Sequence, residues 1–112
     1  MKLSEVKEIL SADILCGEEK METEVKAACG CDLMSDVLAF VKDQALLLTG
    51  LINAQVVRTA EMMDMKAIVF VRGKVPSSAI LELAEDAGIA VLSTQLPMYP
   101  ACGMLYSNGL YK

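Results

Sequence analysis

A set of polar residues and glycines lies at the ends of three apolar segments of the chain, and these residue types suit the binding of a small anion. The set comprises Thr49, Gly50, Asn53, Arg72, Gly73, Ser93 and Thr94. A helix is expected after each apolar segment, and a helix N-terminus offers free N–H groups with a partial positive charge. The set therefore predicts a polar pocket for an anionic ligand. The simpler interpretation is that Asn53 caps a helix and the glycines only turn the chain. The sequence has neither a Gly-x-Gly-x-x-Gly motif nor a P-loop lysine.

The cysteines are the second candidate group. Cys29-Gly30-Cys31 forms a Cys-x-Cys pair at a predicted strand-to-helix turn, where a helix N-terminus would lower a thiol pKa. With Cys102 or Cys16, the pair supplies three or four thiolates, the minimum for zinc or an iron–sulfur cluster. A redox-responsive thiol and plain packing are the alternatives, since a free cysteine is a small residue that is readily buried.

Asp32 and Asp36 are spaced to share one face of a predicted helix. Such a pair suits acid/base chemistry or a hard cation, but it more often interacts with the positive N-terminal end of its helix, and no nucleophile lies beside it in the sequence. The chain has no histidine, which removes every Ser-His and Cys-His dyad. We therefore predict a non-catalytic protein without a cofactor.

Composition and charge indicate which classes of partner and which cellular compartment to expect. The 112 residues carry a net charge of −5, and the 10 basic residues form no run that would neutralise phosphates. Nucleic acid and membrane are therefore not expected as partners. The first residues are charged and amphipathic, unlike a signal peptide, and the fully apolar runs, such as Ala45 to Leu48, are far too short to span a membrane. A cytoplasmic protein with reduced thiols is expected.

Hydrophobic periodicity predicts the elements that position these residues. Strands are expected over residues 14–16, 25–29, 45–49, 66–71 and 89–94, and helices over about 3–10, 54–64, 77–87 and 97–107. A further helix after Asp32 is expected to bury Leu33, Val37, Leu38 and Val41. The expected caps are Ser4, Asp32 or Ser35, and Asn53, with Pro76 in a first helical turn.

Successive strand–turn–helix units indicate βαβ crossovers. The fold prediction is one α/β domain over residues 1–112, with three layers and a mainly parallel sheet that carries helices on both faces. The polar set then lies at the carboxyl ends of parallel strands, where open α/β sheets bind ligands.

The C-terminal segment is apolar and holds all 3 tyrosines, at positions 99, 106 and 111. Tyrosine combines a large contact area with a polar tip and is favoured at interfaces. A chain of this size with 54% apolar residues has more apolar surface than one core needs. We therefore predict a homodimer with Tyr99, Met104 and Tyr106 at its interface.

The order of these segments resembles the DRTGG domain family over nearly the whole chain. The resemblance rests on Leu3-Ser4-Glu5-Val6, Asp32 to Leu38, Leu47-Leu48-Thr49-Gly50, Ala67 to Gly73 with Pro76, and Gly88 to Thr94. It implies a fold like the N-terminal domain of HPr kinase/phosphorylase and a regulatory or scaffolding module with no established catalytic activity. Members of the family occur beside CBS pairs in regulatory pyrophosphatases, and within some phosphotransacetylases. Others are free-standing proteins encoded near iron hydrogenase and electron-transfer subunits. The resemblance thus implies self-association and a protein partner in an electron-transfer system.

The name-giving residues of that family differ in this chain. Leu51-Ile52 stands where the family has Asp-Arg after its Thr-Gly turn, and Val71-Arg72-Gly73 stands where it has Thr-Gly-Gly. If the Asp-Arg pair binds an anion in other members, Arg72 is the residue expected to supply a replacement guanidinium here.

Overall fold

A computed structural model describes residues 1–40 and 44–112. The strands are β1 (Asp13–Cys16), β2 (Ala27–Gly30), β3 (Ala45–Thr49), β4 (Ala67–Phe70) and β5 (Ala90–Ser93). The helices are α1 (Leu3–Leu10), α2 (Met34–Phe40), α3 (Ala54–Met62), α4 (Ser78–Asp86) and α5 (Met98–Ser107). A short 3-10 turn, Glu18–Lys20, lies in the acidic segment before β2.

The strands form one five-stranded sheet in the order β1-β5-β4-β3-β2. Strands β2 to β5 are parallel, and β1 pairs with β5 in the antiparallel direction. Each crossover moves one strand further in the same direction across the sheet. Because such crossovers are right-handed, they place α2, α3 and α4 on the same face.

Two apolar cores lie on opposite faces of this sheet. Alternation along β3 directs Leu46 and Leu48 toward α1 and α5, and Leu47 toward α2, α3 and α4. Every residue of β3, β4 and β5 is buried, as the continuous apolar runs predict for strands covered on both faces. The predicted three-layer α/β fold is confirmed.

Helix α1 begins before its expected cap, Ser4, which lies inside the helix. Its cap position is Lys2, whose backbone N–H donates to Glu5 Oε1 at 3.0 Å. The Ser4 N–H donates to the Met21 carbonyl at 2.9 Å, so the acidic segment satisfies an N–H group that a cap would otherwise serve. Pro76 likewise precedes the helix it was expected to open, because Ser77 caps α4.

Helix α2 differs most from its predicted buried face. Val37 is fully buried, but Leu33 precedes the helix and is exposed, and Leu38 is also exposed. Val41, the fourth predicted member, lies outside the described residues. The helix is too short for periodicity to fix its orientation, so packing against α3 decides which face is covered.

Candidate functional site

The carboxyl ends of β3, β4 and β5 lie side by side, as the sequence predicts. Thr49 pairs with Phe70, and Phe70 pairs with Ser93. The loops that carry the predicted anion site therefore leave the same edge of the sheet, with strands about 4.8 Å apart. This edge is called the carboxyl edge below.

A carboxylate joins two of these loops. Asp32, which follows β2, accepts a hydrogen bond from the Thr49 hydroxyl at 2.9 Å and another from the Gly50 N–H at 2.7 Å, both through Oδ1. Asp32 lies outside α2 and makes these contacts instead of capping the helix or sharing a helix face with Asp36. Asp32 therefore does not take the expected role at the N-terminus of a helix, and it instead joins the ends of β2 and β3 through these two hydrogen bonds. The sequence around Asp32 does not indicate these hydrogen bonds, because Thr49 and Gly50 are distant from it along the chain.

Arg72 occupies an unusual backbone position. It has φ 58° and Gly73 has φ 69°, and the Lys74 N–H donates to the Val71 carbonyl at 3.2 Å. Two successive left-handed residues closed in this way form a turn of type I′, in which glycine is normally favoured at both central positions. An arginine there costs about 1–2 kcal/mol relative to a right-handed conformation.

The Arg72 side chain extends over the neighbouring loop. Its guanidinium lies against Gly50, in the space that a Cβ at that position would occupy. Four ion pairs join the described residues, and Arg72 takes part in none of them. The carboxyl edge therefore presents an exposed guanidinium beside the Gly50 amide, which already donates to Asp32.

The other predicted site residues serve the fold. Asn53 Oδ1 accepts from the Val56 N–H at 3.2 Å and caps α3, as the simpler interpretation had it. The Gly73 N–H donates to the Thr94 carbonyl at 2.8 Å. The Ser93 hydroxyl donates to the Lys74 carbonyl at 2.9 Å, and the buried Thr94 hydroxyl donates to the Leu10 carbonyl at 2.8 Å. Arg72 is the member of the set whose side chain stays available to a ligand.

The cysteines lie on different faces of the sheet. Cys29 and Cys31 pack against the α2–α3–α4 core, whereas Cys102 on α5 packs against the other one. Cys102 Sγ lies 3.7 Å from Met98 Sδ, and Cys16 Sγ donates to the Ile89 carbonyl at 3.6 Å. In the part of the chain that the structure describes, no group of three or more His, Cys, Asp or Glu residues is arranged to hold a metal ion.

Thiol acidity also differs from the expectation. Burial raises the pKa of Cys29, and the thiols of Cys31 and Cys102 raise it further. Burial likewise raises the pKa of Cys102. The expected lowering required a helix N-terminus at Cys29, but α2 begins only at Met34. The desolvation of these thiols outweighs any effect of the helix dipole.

Helix α5 has one side that faces the core and another that is exposed, and the residues predicted for an interface are on the exposed side. Ala101 and Leu105 face the core, whereas Tyr99 is 89% exposed and Met104 and Tyr106 are also exposed. The Tyr106 and Tyr111 rings make an edge-to-face contact with centroids 5.3 Å apart. This exposed set, Tyr99, Met104 and Tyr106, is called the tyrosine face below.

Two concavities lie away from the loops that carry Thr49, Gly50 and Arg72. One of about 550 Å³ is an open depression along α1 that reaches Asn108. Another of about 230 Å³ lies between α5 and β2 and includes Gly30, Cys102 and Tyr111. Neither is lined by Thr49, Gly50 or Arg72. Across residues 1–40 and 44–112, the helices are too short or too polar to cross a membrane.

Comparison with known proteins identifies a family and a fold. The family model of the DRTGG domain matches residues 5–107. Among solved structures, the chain is similar to the CBS and DRTGG domains of the regulatory region of Clostridium perfringens pyrophosphatase, complexed with its activator diadenosine tetraphosphate. The TM-score is 0.76 at 20% sequence identity, over 93% of this chain and 45% of that one. The likeness shows the shared fold, and this chain spans less than half of that polypeptide. Among curated protein sequences, none matches significantly.

Proposed function

The chain belongs to the DRTGG domain family, and from that premise we propose that it is a non-catalytic regulatory module that binds a small anionic ligand at the carboxyl edge. Residues 1–112 act as a single DRTGG-like domain in this proposal. Arg72 is the residue that holds the anion.

The position of the Arg72 guanidinium carries the proposal. It lies over Gly50 at the carboxyl edge and forms no ion pair with any described carboxylate. Arginine holds a left-handed backbone position that glycine would occupy without strain. Strained backbone is concentrated at functional sites, and a planar guanidinium recognises phosphate or carboxylate through two parallel hydrogen bonds.

The chemistry of the solved neighbour supports an anionic ligand. The regulatory region of that pyrophosphatase is complexed with diadenosine tetraphosphate, a polyanion. Asp32 sets a limit on the site in this chain, because its carboxylate already accepts the Gly50 N–H. An incoming anion must therefore bind through the guanidinium and tolerate a carboxylate nearby, which favours modest affinity and strong dependence on salt.

Calorimetric titration tests this function. Pyrophosphate and diadenosine tetraphosphate are the probes, at low ionic strength, and the proteins are the wild type, Arg72→Ala and Arg58→Ala. Arg58 is an exposed arginine on α3, so its removal makes the same change in net charge. We expect Arg72→Ala to weaken binding about tenfold or more and Arg58→Ala to have little effect. Absence of heat with the wild type, or equal weakening in both variants, would contradict the proposal.

Self-association through the tyrosine face is the second part of the proposal. Tyr99, Met104 and Tyr106 form an exposed aromatic and apolar surface on one helix, and such residues are enriched in interface cores. We expect a mass of twice 12.1 kDa by light scattering at micromolar concentration. Tyr106→Ser should lower that mass, and Met62→Ser, which changes an exposed residue on α3, should not. A monomeric wild type would rule out the dimer.

A cytoplasmic location and a partner from an electron-transfer system belong to the same proposal and rest on the family resemblance. The alternative function, a metal or redox centre at Cys29, Cys31 and Cys102, stays a prediction. It has less support, because the sheet separates Cys102 from the other two thiols and burial raises the pKa of both Cys29 and Cys102. Metal analysis and absorption spectra of anaerobically purified protein test it directly.

A further inference from the structure

The carboxyl edge also carries exposed aliphatic side chains, one in each of three successive crossover loops. Leu33 follows β2, Ile52 follows β3 and Val75 follows β4, and they are 57%, 39% and 56% exposed. All three loops lead into helices of the same face. These residues, Leu33, Ile52 and Val75, are called the aliphatic row below.

In each loop, the contacts of the backbone or of neighbouring residues leave the member of the aliphatic row exposed. Cys31 Sγ lies 3.3 Å from both the backbone nitrogen and the carbonyl oxygen of Leu33, which fixes that loop. Leu51 packs into the α2–α3–α4 core, and its neighbour Ile52 is left in solvent. Val75 lies between the Lys74 carbonyl, which accepts the Ser93 hydroxyl, and the buried Pro76. The exposure of the row is therefore built into the loops.

The aliphatic row belongs to the same three loops as Asp32, Gly50 and Arg72. Leu33 follows Asp32, whose carboxylate binds the Gly50 amide, and Ile52 is two residues beyond Gly50. The guanidinium lies on that same glycine, and Val75 follows the Arg72 turn. The three loops at the carboxyl edge thus carry both a strong hydrogen-bond donor for an anion and exposed aliphatic side chains, and a ligand that satisfies both must itself have an anionic and an apolar part.

The type of apolar group follows from the side chains present. Nucleobases bind flat against aromatic rings, and the exposed tyrosines are on α5 and the segment after it. Helix α5 packs on the opposite face of the sheet from the helices that follow the aliphatic row. Leucine, isoleucine and valine instead pack against flexible hydrocarbon, where each buried methylene contributes about 0.8 kcal/mol.

We propose that the ligand of the carboxyl edge is an amphiphilic anion, a phosphate or carboxylate that carries an alkyl or acyl chain. Arg72 binds the anionic group, and the aliphatic row covers the hydrocarbon. This inference rests on the proposed function, since it uses the same guanidinium. It adds the aliphatic row as the element that determines specificity.

A series of alkyl phosphates tests the inference separately from the proposed function. Inorganic phosphate and its ethyl, butyl and hexyl monoesters are titrated into the wild type, Arg72→Ala, the double variant Ile52→Ser with Val75→Ser, and the control Met62→Ser. Since 0.8 kcal/mol is close to fourfold, affinity should rise by up to about fourfold per methylene until the row is covered. The double variant should keep the affinity for inorganic phosphate and lose most of the chain-length dependence. Met62→Ser should behave as the wild type.

Each outcome has a distinct meaning. Binding of phosphate and all esters with equal affinity, lost in Arg72→Ala, overturns the inference and leaves the anion site standing. Chain-length dependence that survives in the double variant also overturns the inference, because another surface then covers the hydrocarbon. If the wild type binds none of the compounds, or if Arg72→Ala binds them all unchanged, the proposed function fails with it. Circular dichroism establishes that each variant is folded, and these exposed positions make that the expected result.

Discussion

Replacing Arg72 by glycine and by alanine separates its backbone role from its side-chain role. Both changes remove the guanidinium from Gly50, so both should weaken the binding of an anion about tenfold or more. They differ at the backbone, because alanine keeps the penalty of φ 58° and glycine does not. The comparison between the two variants therefore isolates the strain at this turn.

The magnitude follows from two opposing terms. A left-handed conformation costs an L-residue about 1–2 kcal/mol, and glycine loses about 0.4–1 kcal/mol through the larger entropy of the unfolded chain. Arg72→Gly should thus be more stable than Arg72→Ala by roughly 0.5–1 kcal/mol. For a chain of 112 residues this corresponds to a difference in Tm of roughly 2–5 °C.

Urea denaturation of the two variants and the wild type measures this difference. If Arg72→Gly is less stable than Arg72→Ala, the turn is not strained at this position and the argument from stored strain is refuted. If Arg72→Gly is at least as stable as Arg72→Ala yet still binds the anion as the wild type does, the guanidinium has no role in binding. A stable variant with weakened binding is the result that the structure predicts.

Three further predictions address the Asp32 tie, the packing of α5 and the thiols. Asp32→Asn keeps an acceptor for the Gly50 N–H but removes a charge near the anion, so the affinity for pyrophosphate should rise roughly threefold at low salt; an unchanged or lower affinity would place the anion elsewhere. Gly30→Ala would bring a Cβ within 2.6 Å of Cys102 Sγ and should cost about 1–3 kcal/mol of stability, partly restored by Cys102→Ala; additive effects in a double-mutant cycle would contradict this contact. Burial raises the pKa of Cys16, Cys29 and Cys102, so their contribution to stability is complete below the unfolded-state pKa of about 8.5 and is lost as pH rises through the folded-state values. Denaturation between pH 7 and 10 should therefore show a falling free energy of unfolding, less steep when these cysteines are replaced by alanine.

The fold was predictable because its strands are strong local signals. The run Ala45–Thr49 is apolar throughout and is buried on both faces, and Asn53 caps α3 as its position before an amphipathic segment predicts. Prediction from the sequence fails where a contact joins segments that are distant along the chain. Ser4 does not cap α1, because the Met21 carbonyl satisfies its N–H, and no property of residues 1–10 indicates that contact.

The position of the candidate site in the fold was predictable from the sequence. The residues that form it were only partly predictable. The three loops meet at one edge because parallel strands end together. Thr94 and Ser93 were expected in a pocket, yet their hydroxyls donate to the Leu10 and Lys74 carbonyls. Such pairings depend on which backbone groups the fold leaves unsatisfied, and a single sequence does not contain that information. The same limit applies to Asp32, whose hydrogen bonds to Thr49 and Gly50 join segments that are distant along the chain.

The topology explains why the proposed site is at the end of β3 rather than between β4 and β5. Ligands of open α/β sheets bind where neighbouring connections leave for opposite faces. Here that point is between β4 and β5, since α4 and α5 pack on opposite sides of the sheet. The crevice is closed there, because the N–H groups of Arg72 and Gly73 donate to the Leu96 and Thr94 carbonyls, each at 2.8 Å. These bonds fix the backbone of the turn, and its left-handed geometry sends the arginine side chain toward Gly50. The same two hydrogen bonds that close the expected crevice thus accompany the placement of the Arg72 guanidinium at the end of the neighbouring strand, in the loops that also carry the aliphatic row.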